Sequence, residues 1–170
     1  MTAHRFDPSV LRAYDIRGVL EETLGPEDAL AIGRAFGTVV RRRGGKTVNV
    51  GYDGRHSSPD LADHLARGLL STGVNVQKVG LGPTPMLYYS VYELGADGGI
   101  MVTGSHNPPN HNGFKFMLGR EGFFGDDIQA LGQLALNGDF ETGLGTAVTI
   151  DLADRYVDRL VEGADLPPAI

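Results

Sequence analysis

The chain has 170 residues, 41% of them hydrophobic, enough apolar material for one well-packed domain and a short extra piece but a squeeze for two. Fifteen Lys and Arg against 21 Asp and Glu leave a net charge of -6, which disfavours a nucleic-acid or membrane-surface role driven by bulk electrostatics, so any anionic ligand must be attracted locally. The absence of cysteine removes a disulfide framework, a thiolate zinc site and cysteine catalysis together, and with no signal-like N-terminus and no run of about eighteen apolar residues the chain reads as a soluble, cytoplasmic protein.

In chain order, residues 26–43 carry apolar positions at helical spacing, with Pro26 suited to a first turn, Glu27 and Asp28 at the positive helix start and Arg41 to Arg43 at its end. Gly44-Gly45 stops that helix, and residues 47–52 read as a short buried strand. Asp53-Gly54 opens a loop through Ser57-Ser58-Pro59 into a second helical stretch ending near Gly73. Residues 74–79 have strand character, 81–85 form a loop, 86–94 look helical, and 99–103 and 113–118 are two more apolar strands. Residues 126–136 predict a last helix, and the Gly-rich stretch 137–145 has the composition of a boundary. An edge strand at 148–150 and a helix at 151–161 follow, before Leu166-Pro167-Pro168-Ala169-Ile170.

Strands alternating with helices predict an α/β fold, because parallel neighbours need crossover connections. The expectation is a three-layer α/β/α sandwich around a mixed, mostly parallel four-stranded sheet over residues 1–145, with 146–170 as a linker and the truncated start of another domain. In such sheets phosphate and nucleotide ligands favour the carboxyl ends of the strands. If the strands ending at Tyr52, Val79 and Thr103 run parallel, their loops share that edge, which directs attention to the loop starting at Gly104.

Three familiar chemistries fail on spacing. Gly44-Gly45-Lys46-Thr47 resembles the end of a P-loop, but Val40 stands where its first Gly belongs, and a helix precedes rather than follows. A nucleophile elbow around Ser105 would need Gly at positions 103 and 107, which are Thr and Asn. Histidines at 4, 56, 64, 106 and 111 lack the spacing of a zincin helix.

The richest chemistry lies between Gly98 and Met117. A buried strand ends in Thr103-Gly104-Ser105-His106-Asn107-Pro108, where Gly104 lets the backbone pass beside the hydroxyl and Pro108-Pro109 stiffen the exit. Strand alternation then puts Phe114 and Phe116 on one face and Lys115 on the other. If the aromatics face the core, a hydroxyl, an imidazole, an amide and an ammonium converge on one small region, which suits a phosphoryl group better than an acyl group.

This segment, with Asn112-Gly113-Phe114-Lys115, resembles the active-site loop of the α-D-phosphohexomutase family. Ala13-Tyr14-Asp15-Ile16-Arg17-Gly18 is similar to the family's N-terminal motif and Gly51-Tyr52-Asp53-Gly54-Arg55-His56-Ser57-Ser58 to its second signature; Pro83-Thr84-Pro85 also occurs in the family's order. The similarity spans about residues 8–165, and the Thr-Gly-Ser form is closer to bacterial phosphomannomutase/phosphoglucomutase members than to phosphoglucosamine mutases.

The resemblance implies an isomerase, an intramolecular phosphotransferase that moves a phosphoryl group between the 1- and 6-positions of a hexose phosphate through a hexose 1,6-bisphosphate, which also serves as activator. Ser105 would be the phosphoryl carrier and one ligand of Mg²⁺. Lys115 and Arg17 would neutralise the moving group, with a proton-transfer role open for one of them, and His106 and Asn107 would shape the loop and contact the phosphate. Tyr14 would orient its neighbours. Each has a structural competitor: a turn hydroxyl for Ser105, a solvated edge charge for Lys115, and simple anchoring of the N-terminal segment for Arg17 and Tyr14. For Arg55 the structural reading is preferred, as part of a turn with a local ion pair, and the role of His111 is open. The family's metal-binding Asp-x-Asp-x-Asp triplet does not occur here, and Asp126-Asp127 reads as a helix cap. The chain is therefore expected to be domain I plus a stub, its partners being a hexose phosphate and domains II to IV, with little turnover alone. The competing reading is a free-standing anion-binding or partner-docking module on the same scaffold.

Overall fold

A computed structural model describes residues 2–164. The elements are β1 (Ile16–Val19), α1 (Pro26–Arg42), β2 (Thr47–Tyr52), α2 (Ser58–Leu70), β3 (Asn75–Leu81), α3 (Thr84–Glu93), β4 (Gly98–Val102), β5 (His111–Leu118), β6 (Glu121–Phe123), α4 (Asp126–Asn137), β7 (Ala147–Thr149) and α5 (Ala153–Glu162).

The strands form one mixed sheet in the order β1-β5-β4-β2-β3-β7, with β6 pairing β5. Ladders from β2 to β3 and β4, and from β3 to β7, are parallel; β5 runs antiparallel to β1, β4 and β6. The expected count of four strands is corrected to seven among the described residues. β7 corresponds to the edge strand expected at 148–150, while β1 and β6, four and three residues long, are too short to show a period of their own and are specified by β5, with which they pair.

Helices cover both faces. On one side α1, α2 and α4 pack on Val48, Val50, Ile100, Val102, Phe114 and Phe116; on the other, Leu87 and Val91 of α3 meet Val79, Met101 and Met117. β4 is buried at every position because it has a helical layer on each face. α1 begins with Pro26 and the Gly25 amide donating to Asp28 Oδ2 at 2.8 Å, and ends at Arg41 and Arg42, as the charge pattern predicts. It crosses α2 at very short range: a Cβ on Gly33 would lie 2.2 Å from the Leu65 carbonyl oxygen, and one on Gly68 would lie 2.2 Å from that of Leu30.

After β7, Leu152 is buried, but α5 buries none of its residues. It lies beside α3 through the Tyr156 and Tyr89 rings, 5.6 Å apart, and an Arg155–Glu93 ion pair. Leu166 to Ile170 lie outside the described residues. No helix among the described residues is long and apolar enough to cross a membrane.

Candidate active site

Because β2, β3 and β4 run parallel, their carboxyl ends share one edge of the sheet, and the β4–β5 connection carrying Ser105 stands there. Ser105 is exposed and adopts φ of +53°, the left-handed region that a residue with a Cβ enters only at a cost of about 1–2 kcal/mol. Surrounding contacts hold it there. Thr103 Oγ1 accepts from the Ser105 amide at 2.9 Å, and the Asn107 amide and side-chain Nδ2 both donate to the Gly104 carbonyl, at 3.0 and 2.7 Å.

The turn is tied to the end of β2 by Asp53. Its Oδ2 accepts from Thr103 Oγ1 at 2.9 Å and the Gly104 amide at 3.0 Å, while Oδ1 accepts from Ser58 Oγ at 2.6 Å and the Arg55 amide at 3.1 Å. Burial pushes this carboxyl upward, but the hydrogen bonds from Ser58, Arg55, Thr103 and Gly104 outweigh it and hold the group below the usual Asp range. Buried Asn112, at the start of β5, extends the network by donating from Nδ2 to Ser57 and Ser58 Oγ at 2.8 and 2.9 Å.

Two cations approach from β1 and β5. Ile16 pairs with Phe114 in the ladder, both fully buried, so Arg17 and Lys115 lie on the other face; continuing that register puts Asp15 opposite Lys115. Asp15, 5% exposed, accepts from Arg17 Nη2 at 2.5 Å and Lys115 Nζ at 3.2 Å with the same oxygen, Oδ2. A second guanidinium nitrogen of Arg17 donates to Asn107 Oδ1 at 3.3 Å, coupling the cation pair to the serine turn. Burial, and then the Asp15 carboxylate, push the pKa of the nearby Tyr88 hydroxyl upward.

Beside the turn lies a cleft of about 500 Å³ whose walls include Ser105, Asn107, Pro109, Arg55, Ser57 and Leu20. Asn107 is the residue common to this cleft and to the Arg17 contact.

Of the residues singled out by sequence, Ser105, His106 and Asn107 occupy one turn, with His106 exposed, and Arg17 and Lys115 join through Asp15. Tyr14 stands at the margin, 77% exposed, with its ring 6.3 Å from that of Phe124. Sequence reasoning missed Asp15 and Asp53 as organising carboxylates, although each lies inside a quoted motif. The signal for Asp15 was available, since positions 15 and 17 share a strand face. Gly104 proves to make room for Arg55 rather than for the hydroxyl: a Cβ there would sit 2.2 Å from Arg55 Nε.

The described residues contain no group of three His, Cys, Asp or Glu able to hold a metal ion. Asp53, which reaches the serine turn, spends both carboxylate oxygens on that turn and on the start of α2. One serine oxygen does not fit the several oxygen ligands that Mg²⁺ requires, so these residues do not make a magnesium site.

A family model described as phosphoglucomutase/phosphomannomutase, alpha/beta/alpha domain I, matches residues 9–141. The chain is 44% identical over 152 residues to the phosphomannomutase/phosphoglucomutase of Pseudomonas aeruginosa strain PAO1, covering 89% of this chain and 33% of that protein. It is 39% identical over 154 residues to a phosphoglucomutase of Neisseria gonorrhoeae, covering 89% and 34%. A crystal structure of a phosphoglucomutase/phosphomannomutase family protein from Burkholderia thailandensis superposes with a TM-score of 0.88 at 45% identity, covering 92% of this chain and 36% of that one. The chain thus spans about a third of the length of the relatives it matches.

Proposed function

Since this chain belongs to the phosphoglucomutase/phosphomannomutase family, as its α/β/α domain I, we propose that Ser105 carries the phosphoryl group that such a mutase exchanges between the 1- and 6-positions of a hexose phosphate. The supporting observation is the turn itself: an exposed hydroxyl in a braced left-handed conformation at the carboxyl edge of the sheet, next to a cation pair anchored by one buried carboxylate. In the transfer, the bond from phosphorus to Ser105 Oγ breaks as a bond to a sugar hydroxyl forms. That hydroxyl loses its proton and the serine oxygen gains one; the resulting hexose 1,6-bisphosphate then returns its other phosphoryl group to Ser105. Catalysis of this kind rests on positioning and charge stabilisation. Arg17 and Lys115 supply positive charge, Asn107 and the exposed His106 contact the phosphate, and Tyr14 borders the sugar.

A divalent cation, when bound, would stabilise charge on the transferring group. Most of its ligands would come from the two-thirds of the mutase that has no counterpart in this chain, as would the rest of the sugar grip. Residues 1–145 are then domain I and 146–170 the opening of domain II, so this chain alone has little turnover. The free-standing module is disfavoured by Val157, Leu160 and Val161 of α5, each more than half exposed, since a surface that meets other domains leaves such residues uncovered.

Intact-mass analysis of the protein expressed from its complete reading frame, after exposure to glucose 1,6-bisphosphate, tests the carrier. One added phosphate is expected on the parent and none on Ser105→Ala; phosphate retained by the variant would sink the proposal.

A further inference from the structure

Arg55 makes the densest set of contacts to the serine turn. Its Nη2 donates to the carbonyls of Ser105 at 3.1 Å and Asn107 at 2.7 Å, and its Nη1 to those of Pro108 at 2.7 Å and His111 at 3.1 Å. Its Nε faces Asp53 Oδ2 at 3.5 Å. A guanidinium has five N–H groups in a rigid plane, and here the four on Nη1 and Nη2 donate to backbone carbonyls while Nε forms an ion pair with Asp53. The Nη donors are thus spent within the turn, although Arg55 lines the cleft beside Ser105.

We propose that Arg55 is the positioning residue that sets the transfer geometry of Ser105, a planar clamp across four carbonyls of residues 105–111 rather than a phosphate ligand. The four carbonyls span the exit of the turn, while Asp53, paired with the same guanidinium, holds its entry through Thr103 and Gly104. The pair thereby brackets Ser105 from both sides and maintains a backbone conformation that the residue would otherwise leave. Lysine cannot substitute, because one ammonium with three donors cannot reach four carbonyls spread over seven residues. The site is also built around the arginine, since Gly104 leaves no room for a side chain beside Nε.

The proposal rests on the reading of Ser105 as phosphoryl carrier, but its first test does not. In the ¹⁵N-labelled chain, Arg55→Lys is expected to speed amide exchange at Gly104, Ser105 and Asn107 by about tenfold or more, and to remove the positive-φ signature from the Ser105 HN–Hα coupling, while the sheet amides keep their protection. Unchanged exchange and coupling at these positions would overturn the clamp. If circular dichroism shows that Arg55→Lys does not fold, Gly104→Ala, which displaces the guanidinium with the arginine retained, is read in the same way. Unfolding of both would also overturn it, by making Arg55 a determinant of the whole domain. In the protein from the complete reading frame, Arg55→Lys should lower kcat by about a hundredfold with KM little changed. A raised KM with kcat intact would make Arg55 a ligand contact instead. A Ser105 that never takes up phosphate would remove the carrier reading and leave the exchange result standing.

Discussion

The Thr103 hydroxyl has two obligations, accepting from the Ser105 amide and donating to Asp53. Thr103→Val keeps the shape and removes both, leaving a charged acceptor and an amide short of partners. It should cost about 1–3 kcal/mol, read as a lower urea midpoint, and slow Ser105 phosphorylation in the intact protein. Asp53 gives the turn a pH dependence whose sign follows from its hydrogen bonds. Its folded pKa lies below the value of about 3.9 for a free Asp, so its contribution to stability is present above about pH 4 and is lost as pH falls through the folded pKa. The Gly104 and Ser105 amide resonances should therefore move together between about pH 4 and the onset of acid unfolding; flat shifts across that range would contradict the assignment. The placing of Ser105, Asn107 and Lys115 near one another was legible in the sequence because a buried strand, a tight turn and strand alternation act locally, whereas Arg17 was singled out only through the family motif. Asp53 was not legible, and Asp15 only through its shared face with Arg17, because the other donors to these carboxylates come from chain segments far away: Asp53 meets residues 103 and 104, and Asp15 meets Lys115.

The helices follow their local signals closely, and α1 shows why. Pro26, the acidic first turn and the basic last turn all act within the segment, so its bounds are set by interactions that sequence alone displays. Its partnership with α2 is a tertiary matter. Gly33 and Gly68 face each other so tightly that either Cβ would collide with the opposite backbone. Ala has the better helix propensity, yet Gly68→Ala should lower stability by about 1–3 kcal/mol, measurable by denaturant unfolding, because overpacking outweighs the propensity gain. The long strands β2 to β5 carried their own apolar patterns. β1 and β6 did not: Arg17 and Gly18 interrupt one and Glu121 and Gly122 the other, and both exist because β5 offers them a ladder.

Across the whole molecule, the central strand β4 is buried at every position, whereas apolar side chains toward the C-terminal elements are left uncovered. α5 displays Val157, Leu160 and Val161 on a helix that buries nothing. Leu160→Ser with Val161→Ser should leave the thermal midpoint of this chain within about 1 °C, since exposed positions carry little folding energy, while reducing self-association in sedimentation velocity. A large fall in midpoint would mean that α5 is integral to this domain. By itself the sequence determined the α/β class, the helices and longer strands, and the identity of the serine turn, because propensity, periodicity and a dense local motif act over a few neighbouring residues. The tertiary structure alone decided the seven-strand order, the coupling of Arg17 to Lys115 through Asp15, and the embrace of Ser105 by Asp53 and Arg55. Those depend on which segments the sheet brings side by side, and loop closure over fifty to a hundred residues leaves no local periodicity in the chain that undergoes it.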